Sequence, residues 1–197
     1  ISKLICGSNQ NDILTRFFES GIMKRKNVSP SYSPSMDIQV SSNFERLLFE
    51  INDRDTNLVK KQMNDFKVDG KFQINQHQLN KINNLFSGFK ISDLDTLNII
   101  KKTYIDYKYM LDPHSAIGFG ATQKAIEQKI ISNDSPIISL ACAHPAKFPR
   151  VIKKSIGIIP QFPLHLDQIM SRKEYFKTID PNLKDVQEYI IKSMRML

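Results

Sequence analysis

The sequence predicts an α/β protein in which a partial parallel sheet carries a mainly helical insertion. Two short apolar runs have the length of buried strands, and a helix-forming pattern follows each of them. A strand followed by an amphipathic helix is half of a βαβ unit, the building block of parallel sheets. We expect part of the α/β core at residues 1–52, a helical insertion at 53–110, and the returning core with a helical tail at 111–197.

The first strand–helix pair opens the sequence. The apolar run at residues 2–7 closes on Gly7 and predicts a buried strand. Asn9 or Asn11 can cap the next helix, because an Asn side chain accepts a hydrogen bond from the free amides there. Gly21 stands just past the helix end, where a left-handed residue is favoured. The apolar face of this helix consists of Ile13, Leu14, Phe17 and Phe18.

The middle of the chain changes character. Residues 24–35 are rich in serine and proline and predict a loop, and a capping-box pattern at residues 42–45 predicts a helix start. Three helical stripes then follow at 53–110, the last opening at residues 92–95. The apolar positions are Phe44, Leu47, Leu48 and Ile51, then Val59, Met63 and Phe66, then Leu79, Ile82, Leu85 and Phe86, then Leu97, Ile100 and Tyr104.

The core returns at Asp112, a good N-cap followed by proline at the first helical position. The helix that it starts runs through Ala121 and Ala125. Residues 136–141 form the second apolar run and predict another buried strand. Pro145 begins the helix after that strand, and a proline-rich turn leads to the helical tail.

Composition disfavours several classes of protein. The net charge of +8 comes from Lys and Arg scattered among acidic residues, without the aromatic-interleaved basic stripe of a nucleic-acid surface. No apolar run has the length of a membrane span, and the start lacks the pattern of a signal peptide. The chain opens without Met inside a strand-like run, as a fragment would. Cys6 and Cys142 lie in apolar contexts, which predicts reduced, buried thiols in a cytoplasmic protein.

The turn after the second predicted strand is the most promising local site. Cys142 and His144 lie two residues apart at a helix N-terminus. One hypothesis is a Cys–His nucleophile pair whose thiol pKa the helix lowers. The other, which we favour, is a buried Cys142 at a strand end with His144 as a cap. The four histidines show no metal-ligand spacing, so we expect no metal site.

Four stretches carry a resemblance to a known family. Residues 33–48 read SPSMDIQVSSNFERLL, residues 111–118 read LDPHSAIG, and residues 141–149 read ACAHPAKFP. The opening at residues 3–14, KLICGSNQNDIL, adds a fourth. In order and spacing these stretches resemble the threonine synthases of the bacterial and fungal type, over nearly the whole chain.

The resemblance implies the C-terminal portion of a fold-type-II enzyme that uses pyridoxal 5′-phosphate (PLP). Such an enzyme converts O-phosphohomoserine and water to threonine and phosphate. Its Schiff-base lysine and its phosphate loop lie upstream, so the resemblance implies no catalytic residue in this chain, and Lys147 is not the cofactor lysine. The implied partner is the N-terminal half of the same enzyme, and neither a nucleic acid nor a membrane is expected.

One cofactor contact is implied by the resemblance. Cys142 matches a threonine, or a serine in relatives, whose hydroxyl faces the pyridine nitrogen of PLP. A thiol is a weaker donor than a hydroxyl but keeps the partner neutral. The alternative is that Cys142 only packs.

Other polar and aromatic side chains have no implied catalytic role. Ser35, Asp37, Gln39, Ser41 and Asn43 form a polar run that we expect to support the active-site wall. Tyr104, Tyr107 and Tyr109 are interpreted as packing residues.

Two other functions stay open: a non-catalytic interaction remnant of the same fold, and another fold-type-II PLP lyase or dehydratase. Residues 33–48 argue against the second. We also expect the chain by itself to aggregate or to be partly molten, because a sheet without its remaining strands exposes edges and apolar faces. A sharp, cooperative thermal melt of the isolated chain would contradict this.

Overall fold

The computed structural model describes residues 1–166 and 168–194 and divides them between two units, Ile1–Pro160 and Gln161–Leu197. The strands are β1 (Leu4–Ser8), β2 (Ile22–Lys24), β3 (Lys71–Gln73) and β4 (Phe86–Lys90). The helices are α1 (Ile13–Ser20), α2 (Phe44–Ile51), α3 (Thr56–Asp69), α4 (Gln76–Leu85), α5 (Asp93–Tyr107), α6 (Pro113–Glu127), α7 (Pro149–Ile156) and α8 (Leu183–Met194). Short 3₁₀ turns occupy Pro34–Met36, Pro145–Lys147, Leu164–Leu166 and Ile169–Ser171.

A parallel pair of strands forms the centre of the first unit. β1 lies beside β4, with Cys6 opposite Gly88 and Gly7 opposite Phe89. Because successive residues of a strand point to opposite faces, Gly88 faces α1 and Gly7 faces α6. The two helices therefore cover opposite faces of this small sheet, and the start of α6 has a fixed place beside β1.

A second strand pair contributes buried side chains to an apolar cluster of the first unit. β2 and β3 are antiparallel, and Met23 lies opposite Phe72 with both side chains buried. This pair, α1 and the helices α2, α3 and α4 enclose one apolar cluster. Its buried members are Ile13, Phe17, Phe18, Met23, Phe44, Leu48, Ile51, Val59, Phe66, Phe72, Ile74, Leu79 and Ile82.

Local capping explains several helix starts. Asn75 precedes α4 and Ser92 precedes α5, and each caps its helix in a reciprocal capping box. The Asp112 carboxylate accepts from the first amides of α6. Gly21 ends α1 at φ 70°, as predicted. The capping box predicted at residues 42–45 is wrong, because Asn43 precedes α2 in a helical conformation without a side-chain cap bond.

Two predicted elements differ in the structure. Phe86 was expected on a helix, but it begins β4, so a strand of the central sheet lies inside the range 53–110. Residues 136–141 were expected as a buried strand, but they form neither strand nor helix and are exposed. Ile138 and Leu140 are 85% and 77% exposed, and nothing among the described residues offers this segment a strand partner.

The expected division of the chain at 1–52, 53–110 and 111–197 stays a prediction. Residues 167 and 195–197 of its last part lie outside the described residues. The predicted helical tail is present as α8. Within residues 1–166 and 168–194, every helix is too short or too polar to cross a bilayer.

The close approach of α1 to β4 leaves no room for a side chain at Gly88. A Cβ added at Gly88 would lie 2.7 Å from Thr15 Cα, which is backbone and cannot move aside cheaply. We expect Gly88→Ala to destabilise the first unit by about 1–3 kcal/mol, the usual cost of overpacking. The measurement is the urea midpoint by circular dichroism at low protein concentration.

The matched control is Gly118→Ala on α6. A Cβ there would meet only Ser139 Oγ, at an ordinary 3.5 Å, and alanine favours helix. Equal midpoints for the two variants would contradict the close packing of α1 on the sheet.

Candidate functional site

The first turn of α6 places a buried carboxylate at the centre of the candidate site. The Asp112 side chain is fully buried and receives hydrogen bonds from several donors. Its Oδ1 accepts from the His114 amide at 2.9 Å, and its Oδ2 accepts from the Ser115 hydroxyl. The Ala143 amide also donates to Oδ2, at 3.3 Å. A buried charge is tolerated when such donors surround it.

His114 connects this carboxylate to the segment that precedes α2. Its Nδ1 lies 3.1 Å from Asp112 Oδ1, and its Nε2 accepts from the Ser35 amide at 3.2 Å. Because Nε2 accepts, the ring is neutral with its proton on Nδ1. The ring also packs on Phe148, with centroids 4.8 Å apart. His114 therefore ties the 3₁₀ turn Pro34–Met36 to the start of α6.

The turn at residues 142–143 is attached to the same helix start. The Cys142 amide donates to Ser115 Oγ at 2.8 Å, next to the bond from Ala143 to Asp112. The stretches 33–48, 111–118 and 141–149, which carry the resemblance in the sequence, thus meet at Asp112. From the sequence, Asp112 and His114 resemble a catalytic Asp–His pair only superficially, because a helix cap followed by proline explains Asp112, and Ser115 carries no predicted role.

A second polar cluster holds the loop that leads into the first stretch. Asp37 Oδ1 accepts from Asn9 Nδ2 at 2.7 Å, Asn11 Nδ2 at 3.0 Å and Ser31 Oγ at 2.6 Å. Asn9 and Asn11, predicted as caps of α1, instead bind this loop, and Asp12 is the residue that precedes the helix. Within the polar run at 35–43, Asp37 makes most of these loop bonds, and the Gln39 side chain accepts from the Lys26 amide. Support of the active-site wall by this run stays a prediction.

Cys142 stands at the open end of this arrangement. Its side chain is exposed, and Sγ lies 3.6 Å from the carbonyl oxygen of Leu140. Partial burial and the negative charge of Asp112 raise the pKa of the thiol. The prediction of a buried Cys142 is wrong, because the segment before it is not part of a sheet.

The structure does not support the Cys–His nucleophile hypothesis. His144 uses its Nδ1 to accept from the Ala146 amide at 3.2 Å, so it caps the turn Pro145–Lys147 as the alternative predicted. The raised pKa of Cys142 is the opposite of what an activated thiolate needs. A protonated thiol is instead a neutral, weak hydrogen-bond donor on an exposed side chain.

An apolar cavity of about 390 Å³ adjoins Ser115. Its wall includes Phe119, Leu140, Tyr107 and Tyr109, and the two tyrosines are 70% and 57% exposed. Tyr107 and Tyr109 are therefore more exposed than packing residues would be, and their interpretation as packing rather than catalytic residues stays a prediction. Within residues 1–166 and 168–194, no group of His, Cys, Asp and Glu side chains is arranged to hold a metal.

Comparison with solved structures identifies the class of protein. The PLP-bound threonine synthase of Brucella melitensis superposes with a TM-score of 0.85 and 42% identity, over 96% of this chain and 40% of that chain. Yeast threonine synthase gives a TM-score of 0.83 and 30% identity, over 100% and 43%. The fold is that of PLP fold type II, in mixed α/β form with a small parallel sheet.

Sequence comparison identifies the family. Residues 115–190 match the family model "Threonine synthase, C-terminal". The curated threonine synthase of Pseudomonas aeruginosa is 36% identical over 96% of this chain, and that of Saccharomyces cerevisiae is 34% identical over 95%. The chain spans 40% and 39% of the lengths of these relatives. The chain thus matches the C-terminal portion of the threonine synthases over nearly its whole length, which confirms the resemblance seen in the sequence.

The raised pKa of Cys142 should slow its reaction with alkylating reagents at neutral pH. The thiolate is the species that reacts, and a raised pKa lowers its fraction at neutral pH. We expect the rate of Cys142 alkylation by iodoacetamide to reach half its limit at a higher pH than in a free cysteine peptide. Peptide mass spectrometry across a pH series separates Cys142 from Cys6.

The control is His144→Ala, which should leave the alkylation midpoint unchanged because the His144 ring is used for capping. A midpoint below that of the peptide, rising in His144→Ala, would restore the Cys–His hypothesis.

Proposed function

We propose that this chain is the C-terminal part of a PLP-dependent lyase, a threonine synthase that converts O-phosphohomoserine and water to threonine and phosphate. The observation that carries the proposal is the meeting of the three family stretches at Asp112, in a chain that matches threonine synthases along nearly its whole length. Since the chain spans about two-fifths of those relatives, the activity belongs to the longer polypeptide.

Cys142, at the open end of the site, is suited to face the ring edge of PLP. When bound, PLP supplies an electron sink for carbanion chemistry. Cys142 would lie against the pyridine nitrogen as a neutral donor, and its raised pKa keeps the thiol protonated at neutral pH. Asp112 is fully buried among its donors, so its carboxylate does not reach the open side and cannot protonate the ring nitrogen.

The N-terminal portion of the enzyme would complete the site. It would supply the Schiff-base lysine and the loop that holds the cofactor phosphate, since neither motif occurs in these residues. The free thiols of Cys6 and Cys142 fit the cytoplasmic location that the sequence predicts.

Reconstitution tests this function. The chain is co-expressed with the N-terminal portion of its own gene, and phosphate and threonine are measured after O-phosphohomoserine is added. We expect bound PLP, seen by its visible absorbance, and equal amounts of both products from the pair, with neither from the chain alone. A pair that binds PLP but forms a 2-oxo acid instead of threonine would identify a dehydratase and contradict the proposal.

Substitution of Cys142 in the reconstituted enzyme gives the third prediction. Cys142→Thr should keep or raise kcat, because a hydroxyl is a stronger neutral donor than a thiol. Cys142→Asp should lower kcat at least roughly tenfold, because a carboxylate would hold the ring nitrogen protonated and change the electronics of the cofactor.

The control is Cys6→Ala, a thiol in β1 on the face toward α1, which should leave kcat unchanged. Equal kcat values for Cys142→Asp and Cys142→Thr would show that Cys142 does not contact the cofactor.

A further inference from the structure

Two successive amides of the turn at residues 142–143 donate to side chains of one helix start. The Cys142 amide reaches Ser115 Oγ at 2.8 Å, and the Ala143 amide reaches Asp112 Oδ2 at 3.3 Å. Both acceptors lie at the beginning of α6, three residues apart in sequence. The orientation of two neighbouring peptides is thereby set by two side chains from elsewhere in the chain.

The direction of these bonds is fixed. The single hydroxyl proton of Ser115 is donated to Asp112 Oδ2, so the oxygen has only lone pairs to offer the Cys142 amide. Asp112 is itself held by the amide and Nδ1 of His114. Hydrogen bonds to a buried charge are stronger than neutral ones. The acceptors are therefore also held by bonds within the start of α6 that do not involve the turn.

We propose that Asp112 and Ser115 form a positioning pair that clamps the turn at residues 142–143 and sets where the Cys142 thiol stands. That the thiol faces a cofactor rests on the proposed function. The clamp itself is a property of this chain and is testable without PLP.

A simple capping role for the helix predicts something different. Capping of α6 needs an acceptor at position 112, which asparagine supplies almost as well as aspartate. It does not need the Ser115 hydroxyl, whose role is to join Asp112 to the turn. Removal of that hydroxyl therefore separates the clamp from the cap.

The experiment uses the chain with Ser115→Ala, Ser115→Thr and Asp112→Asn. For each variant, two quantities are measured by peptide mass spectrometry: the limiting rate of Cys142 alkylation at high pH, and deuterium uptake at residues 142–143. Ser155→Ala is the matched control, because it also removes a partly buried serine bond, from Ser155 Oγ to the Leu97 carbonyl at 2.7 Å.

We expect Ser115→Ala to change the limiting alkylation rate at least roughly threefold and to speed deuterium uptake at least roughly tenfold, a loss of protection near 1.4 kcal/mol. Ser115→Thr should keep both values near those of the unaltered chain, because it keeps the hydroxyl. Asp112→Asn should lower the pH midpoint of alkylation, since the negative charge that raises the thiol pKa is gone.

Equal values for Ser115→Ala and Ser155→Ala, or failure of Ser115→Thr to keep the rate, would overturn the clamp. If Ser115→Ala does not fold, deuterium uptake at residues 142–143 of Asp112→Asn that matches the unaltered chain would do the same, because asparagine cannot offer both oxygens that Asp112 uses. In the reconstituted enzyme, loss of the clamp should also shift the visible absorbance maximum of bound PLP. An enzyme that binds no PLP while the chain results hold would contradict the proposed function and leave the clamp standing.

Discussion

The buried carboxylate of Asp112 is the constraint on which the candidate site depends. An ionised side chain with no exposed surface is stable only while hydrogen-bond donors surround it, and loss of those donors leaves a costly uncompensated charge. Here the donors come from α6 itself and from the turn at residues 142–143, and His114 extends the network to Ser35. Displacement of any one of these segments would weaken the hydrogen bonds that hold the others, so their positions depend on one another.

The place of Asp112 in the molecule depends in turn on how closely helices approach the small sheet. Gly7 in β1 has Ile117 and Ala121 of α6 directly above it, and a Cβ there would lie 3.0 Å from the Ile117 carbonyl oxygen. The absence of side chains at Gly7 and Gly88 lets α6 and α1 lie close to opposite faces. The sheet thereby fixes the axis of α6, and the axis fixes the carboxylate at its start.

Local patterns in the sequence were sufficient for elements whose bonds are local. The apolar face of α1, the left-handed Gly21 and the cap of α6 appear where the sequence predicts them, and the strand predicted at residues 2–7 forms at Leu4–Ser8. β4 was missed because Phe86 continues a helical stripe in sequence, while its strand identity comes from pairing with β1, eighty-two residues away at the Leu4–Phe86 match. Pairing over such a distance leaves no local signal.

The same distinction explains the site. Sequence reasoning identified Asp112 as a cap, but its bond to the Ala143 amide spans 31 residues and the bond from Ser35 to His114 spans 79. Asparagine is a common capping residue, yet the side chains of Asn9 and Asn11 donate hydrogen bonds to Asp37 in the loop and do not cap α1. The apolar residues at 136–141 suggested a strand from composition, but a strand also needs a neighbour, and the described residues provide none.

Hydrogen exchange in Asp112→Ala is the most direct test that one carboxylate joins the three segments. Deuterium uptake is compared with the unaltered chain at residues 33–36, 113–116 and 141–143, with β3 as the internal reference. The account predicts faster uptake in all three segments together and no change in β3, since Phe72 of β3 packs in the apolar cluster enclosed by β2, α1, α2, α3 and α4. Faster uptake confined to residues 113–116 would show that Asp112 only caps α6, and would contradict the account.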